Sequence, residues 1–165
     1  MKSDGLACEI HIAFRFNVNL YHSYRGDSAD ESGIGKDIRI ITGILDTLDR
    51  LNREGMAVRG TWGLDNYYTL EKILPEHCPE ILERIRGRVN SGTDEVEYMS
   101  WNNGMCSAHT AEEMELVLNS MESNAGGSGF SDLFARAAPV MRPQDCMYTP
   151  SFLTLAQLRL ICLFS

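Results

Sequence analysis

Between Glu9 and Tyr21 the chain alternates, with Ile10, Ile12, Phe14, Phe16, Val18 and Leu20 on one face and His11, Ala13, Arg15, Asn17 and Asn19 on the other. A period of two predicts a strand with two unlike faces. The stretch from Tyr24 to Gly35 is polar and rich in Asp, Ser and Gly, and reads as a long loop leaving the strand's carboxyl end. Ile34, Ile38, Ile41, Leu45, Leu48 and Leu51 then recur at helical spacing up to Gly55, a residue suited to the left-handed stop of a helix.

The same unit recurs downstream. Met56 to Trp62 predicts a second strand, and helical stretches follow over Asn66 to Leu74 and Pro79 to Val89, separated by Pro75 and Pro79. Gly92 ends the second of these, and Asp94 to Ser100 predicts a third strand. A helix is expected from Thr110 to Met121, with Thr110 as N-cap and Glu113 in the reciprocal position three residues later. Asn124 to Gly129 reads as a flexible turn, Phe130 to Ala137 as a short amphipathic piece and Val140 to Arg142 as a fourth strand. Strands alternating with helices imply a parallel sheet, because a parallel crossover needs a dozen or more residues. The expected class is α/β. An open doubly wound sheet and part of a barrel both satisfy the pattern, and periodicity does not decide between them. The apolar tail from Leu153 to Ser165 has no cap, turn or polar end, and reads as the cut end of a longer fold.

Composition narrows the partners. The chain has 165 residues, 44% of them hydrophobic, enough for one domain with its own core. A net charge of −8 argues against non-specific attraction to nucleic acid or anionic membrane, which need clustered Lys and Arg. No run approaches the roughly 20 apolar residues of a bilayer span, and Met1 to Ala7 lacks a signal-peptide core, so the expected location is cytoplasmic. The five cysteines (Cys8, Cys78, Cys106, Cys146 and Cys162) form no CxxC pair and read as free thiols.

Ligands of parallel α/β folds bind at the carboxyl ends of the strands. The residues expected there are His22, Tyr24, Arg25 and Asp27 after the first strand, and Trp62, Asp65, Asn66 and Tyr67 after the second. After the third come Trp101, Asn102, Asn103 and His109, and after the fourth Arg142, Gln144, Asp145 and Tyr148. Aromatics mixed with amides, His and acids suit sugars, whose ring faces stack on aromatics and whose hydroxyls need donors and acceptors. No GxxxxGK[ST] loop, GxGxxG turn or GxSxG elbow is present. Each residue also has a structural reading: Trp101 as a packed aromatic, His109 as a loop-ordering group, Asp145 as a loop cap. His11 and Arg15 could face a barrel interior or satisfy buried acids such as Glu95 or Glu97.

The run VRGTWGLDNYYTLEKILPEHCPEILERIRGRVNSGTDEVEYMSWNNGMCSAHTAEE resembles the second-to-third strand region of glycoside hydrolase family 57 and related deacetylase-type barrels. VMRPQDCMYTP is similar to that family's Trp-Leu-Pro-Glu-Cys-Ala-Tyr block, with Pro143, Cys146 and Tyr148 setting the register. The resemblance implies a single, incomplete (β/α)7-type barrel domain over residues 1–165. It implies a retaining glycoside hydrolase acting on an oligo- or polysaccharide of α-glucan type, with no cofactor or metal. Asp145 would take the nucleophile's place as catalytic residue, and His22, Trp62, Asp65, Trp101, Asn102, His109 and Arg142 would contact substrate. Two departures bear on activity. Asp145 is shorter than the family's Glu, and the general acid, which must lie about 5 to 5.5 Å from the nucleophile, comes in the family from a later strand than the four read here.

Two other readings stand beside this one. SAHTAEE resembles the His-Thr-x-x-His pattern of metal-dependent polysaccharide deacetylases, with Glu113 in place of the second His and no Asp-Asp pair on the first strand. Its counterpart here would be a metal site of His22, Asp27 and His109. The last is a non-catalytic sugar-binding or inactive fragment that self-associates through an open sheet edge.

Overall fold

The computed structural model describes residues 12–21, 34–102, 104–105, 108–142 and 162–163. The elements along the described chain are β1 (Phe14–Val18), α1 (Gly35–Arg53), β2 (Gly60–Leu64), a π-helix (Asn66–Ile73), α2 (Leu74–His77) and α3 (Pro79–Asn90). They continue with β3 (Glu95–Tyr98), α4 (Ala111–Glu122), α5 (Phe130–Leu133), β4 (Ala138–Met141) and β5 (Cys162–Leu163). All strand pairs are parallel, in the order β1-β2-β3-β4-β5.

That order decides what periodicity left open. A doubly wound sheet reverses direction at a switch point, whereas here each strand lies beside its predecessor. Residues of α1, α3 and α4 share one core cluster with the strands, and parallel strands in sequential order are the arrangement of a (β/α)-barrel segment. The fold class is α/β, as the pattern predicts.

Register explains the two faces. Phe16 pairs with Trp62 and Trp62 with Val96, and together with Val18 and Leu64 they belong to the face carrying the helices. Onto it pack Ile41, Leu45 and Leu48 of α1, Ile81, Ile85 and Val89 of α3 and Met114, Leu118 and Met121 of α4, in one core. Gly60 is needed because a Cβ there would meet the Phe16 ring at 2.9 Å. The helices are also tied to one another: Arg84 of α3 donates to Asp46 and Asp49 of α1, at 2.8 Å each, and Arg88 also reaches Asp49.

The opposite face is polar. Arg15, Thr61, Gly63 and Glu97 lie on it, and Arg15 Nε donates to Glu97 Oε1 at 2.7 Å across β2. The expectation that Arg15 satisfies a buried acid holds. Gly63 makes the crossing possible, since a Cβ there would come 2.5 Å from the Glu97 carboxylate. At the amino ends of the strands, buried Asp94 accepts from Gly60 N at 3.0 Å, Trp62 Nε1 at 2.8 Å, Arg88 Nε at 2.7 Å and Arg88 Nη2 at 2.8 Å.

Thr110 caps α4 in a capping box with Glu113, as its spacing predicts. The second strand differs from expectation: Met56 to Arg59 lies outside it and pairing begins at Gly60. The strand expected from Glu9 is described only from residue 12, and of the apolar tail only Cys162–Leu163 is described, paired with β4. Among the described residues, no helix is long and apolar enough to cross a membrane.

Candidate functional site

The site is built where β1, β2 and β3 end. Asp65, the first residue past β2, is extended (φ −70°, ψ 140°), and its carboxylate accepts from Tyr68 N at 3.0 Å and Thr69 N at 3.1 Å. It thereby caps the π-helix, whose wider turn is seen in the bond from Leu70 N to Asp65 O, 3.2 Å, five residues apart. The Thr69 hydroxyl donates to Asp65 and accepts from Leu20 N at 3.3 Å, which fastens the end of β1 to the start of the π-helix. The next loop is fastened by Tyr67 N donating to Trp101 O at 2.8 Å.

These ties bring four aromatic rings into a row, Tyr21 from past β1, Tyr68 and Tyr67 from the π-helix and Trp101 from past β3. Tyr21 and Tyr68 have centroids 4.4 Å apart, Tyr68 and Tyr67 4.9 Å, and Tyr67 and Trp101 5.2 Å. All four side chains are half-buried, and Tyr68 and Trp101 also pack against the core. Lys72, one π-helical turn on from Tyr67, sets its ammonium 5.6 Å from the Tyr67 ring centre and 3.4 Å from Glu71.

Beside the row lie buried polar atoms with no hydrogen-bond partner among the described residues: Ser100 Oγ, Trp101 Nε1, His109 Nδ1 and, behind the π-helix, Asn66 Oδ1. Folding rarely leaves such atoms unpaired, because each costs on the order of 1–3 kcal/mol. Three of the four lie within ten residues at the tip of β3. Asn102 and His109 flank Gly104, where an added Cβ would meet Asn102 Oδ1 at 2.8 Å and His109 Cε1 at 3.3 Å. Half-buried aromatic rings and buried, unsatisfied donors and acceptors therefore adjoin at the tip of β3.

The expected site residues divide three ways. Trp101, Asn102 and His109 come together at the tip of β3. Arg142 follows β4, half-buried, with its backbone N–H donating to Tyr98 O at 3.0 Å. Trp62 and Asp65 do not line the site. Trp62 is wholly buried on the helix-bearing face, its ring 4.8 Å from Phe16, because strand positions under the helices belong to the core whatever follows them. Asp65 is also wholly buried, and burial pushes its carboxyl above the ordinary value against hydrogen bonds from Thr69 and Tyr68 that pull it down. Its oxygens are spent on the Tyr68 and Thr69 amides and the Thr69 hydroxyl.

His22, Asp27 and Asp145 lie outside the described residues, as do His11, Tyr24, Arg25, Asn103, Gln144 and Tyr148. Among the described residues, no three His, Cys, Asp or Glu side chains gather as a metal would need. Sequence reasoning missed Tyr21, Tyr68, Lys72 and Ser100. An aromatic directly past a strand tip is a usable signal for the two tyrosines, whereas nothing in the sequence marks a buried serine as unpaired. Comparison with protein-family models, with curated proteins and with solved structures finds no match to this chain.

Proposed function

We propose that this chain is a carbohydrate-active domain of glycoside hydrolase type that holds an α-glucan against the row Tyr21, Tyr68, Tyr67 and Trp101. Ser100, His109 and the Trp101 indole N–H pair with its hydroxyls. The observation that carries this reading is the coincidence of half-buried aromatic rings with buried, unpartnered polar atoms at one set of strand tips. Neither feature alone names a ligand. Together they fit a molecule with apolar faces and a rim of hydroxyls.

The chemical step in this reading belongs to Asp145, in the nucleophile's position by resemblance. The acids described near the tips are engaged: Asp65 caps the π-helix, and Glu71 is held by Lys72 and by the Ser128 hydroxyl at 3.0 Å. Hydrolysis with retention would need a second carboxyl about 5 to 5.5 Å from Asp145. The same reading places the domain in the cytoplasm, in keeping with Cys78 as a free, buried thiol.

The chain's two tryptophans make the test direct. Trp62 is sealed in the core and bonded to Asp94, so a fluorescence change on adding maltoheptaose reports Trp101. A saturable change is expected, absent in Trp101→Phe, with affinity lowered roughly 2- to 10-fold in Tyr67→Ala through loss of one stacking face. Asp145→Ala should retain binding and lose any hydrolysis. Absence of binding to every α-glucan tried would end the proposal.

A further inference from the structure

At the opposite end of the sheet from the aromatic row, a cavity of about 440 Å³ opens between the amino ends of β2, β3 and β4. It is lined by Arg59, Val89, Asp94, Glu95, Arg136, Ala137, Ala138 and Val140, and three features of that lining bear on what it could hold. The first is its two guanidinium groups. Arg15, Arg50, Arg84, Arg86 and Arg88 each face a carboxylate. Arg59 and Arg136 have no such partner among the described residues, although Glu95 lines the same cavity.

The second feature is how Arg136 is placed. Gly92, at φ +76°, closes α3, and a Cβ there would come 2.8 Å from Arg136 Nη2. The guanidinium thus lies against the turn ending α3. The third is the charge and the floor. Asp94 is already neutralised by Arg88 and fully hydrogen-bonded, so the cavity's free charges are Arg59, Arg136 and Glu95, a net positive site in a chain of net charge −8. Val89, Ala137, Ala138 and Val140 supply apolar surface between them.

We propose that this cavity is a second ligand site, distinct from the sugar site, that binds a small phosphate monoester. Its phosphate is clamped between Arg59 and Arg136 and its organic part rests on the apolar floor. Guanidinium forks match phosphate oxygens in pairs, and the volume suits a compact ligand. The site does not depend on the sugar-binding reading.

The test is calorimetric titration of the full chain with phenyl phosphate in chloride buffer. Saturable 1:1 binding is expected, weakened roughly 10-fold or more by Arg59→Gln and by Arg136→Gln, each of which removes charge-assisted hydrogen bonds. Both side chains are exposed, so unchanged melting in phosphate-free buffer should accompany the loss. Arg53→Gln, which makes the same change in net charge on another surface, should leave affinity as it is. No saturable binding, a loss from only one of the two substitutions, or an equal loss in Arg53→Gln each overturns the proposal.

Discussion

Replacement of Asp94 tests the packing between α1, α3 and the sheet most severely. Both oxygens are committed: Oδ1 accepts from Gly60 N and Arg88 Nη2, and Oδ2 from Trp62 Nε1 and Arg88 Nε. Asp94→Ala leaves Arg88 buried without its main counter-charge, a loss of about 3–5 kcal/mol for a buried pair. Arg88 keeps Asp49 and Asn52, which argues for the low end of that range. Two orphaned N–H donors, on Gly60 and Trp62, add about 1 kcal/mol each, for a total near 5 kcal/mol. Whole domains have only about 5–15 kcal/mol, so the variant should be close to unfolding. Asp94→Asn is the sharper probe. In either amide orientation its NH2 faces two donors, so it should lose nearly as much as the alanine. With a urea slope of about 2 kcal/mol/M, the unfolding midpoint should fall by about 2 M or more in both variants. An Asp94→Asn midpoint within about 0.5 M of the parent would refute the fourfold acceptance.

Four further outcomes are expected. Ser100→Ala removes a buried, unpaired hydroxyl, so melting temperature should hold or rise while affinity for maltoheptaose falls roughly 2- to 10-fold; a drop in melting temperature would mean the hydroxyl has a protein partner. Gly63→Ala drives a Cβ to 2.5 Å from Glu97 Oε1 and should lower stability by about 2 kcal/mol in urea unfolding, whereas an unchanged midpoint would show that Glu97 can leave Arg15 freely. Burial, with Glu80 nearby, pushes the Cys78 thiol up to about 11, so at pH 8 roughly one thiol in a thousand is ionised. Peptide mass mapping after native alkylation should find Cys78 unmodified, and rapid modification would contradict its enclosure. Burial alone would raise the Asp49 carboxyl, but hydrogen bonds and charges from Arg84 and Arg88 outweigh it and hold the group below 3.8. A depressed carboxyl gives stability that is present above that value and lost as pH falls through the folded one, so the urea midpoint should drop below about pH 4, and less steeply in Asp49→Asn.

How much was legible depends on what kind of signal each feature leaves. α1 and α4 were readable because long apolar periodicity and a Thr-x-x-Glu box are local properties. The start of β2 was misplaced because its pairing begins at Gly60 and runs through Gly63, two residues with no hydrophobic signal, while apolar Met56 stays exposed. The π-helix was foreseen only as a helix, since its extra residue per turn is set by the Asp65 cap and the ties to Leu20 and Trp101. Trp62 and Asp65 were misjudged for one reason: nearness to a strand tip in sequence does not say which face a side chain takes. Arg15 was open between a barrel interior and an acid such as Glu95 or Glu97; of those two acids Glu97 is the partner, because alternation along β3 puts it on the same polar face, across Gly63.

The contrast among buried polar groups points back to the carboxyl ends of the strands. Asp94 accepts four hydrogen bonds, Glu97 is paired with Arg15 across β2, and Asp65 is saturated by backbone and hydroxyl donors. All three are charged groups, for which an unmet partner would be most costly, and all are met inside the protein. Of the four unmet atoms, the Asn66 amide oxygen stands apart, and the other three, a hydroxyl, an indole N–H and an imidazole nitrogen, fall between Ser100 and His109. Random imperfection would scatter such atoms along the chain. If the proposed sugar reading holds, a ligand's hydroxyls would offset the desolvation cost of these three at the tip of β3, and saturating maltoheptaose should raise the melting temperature; an unchanged melting temperature at saturation would count against it.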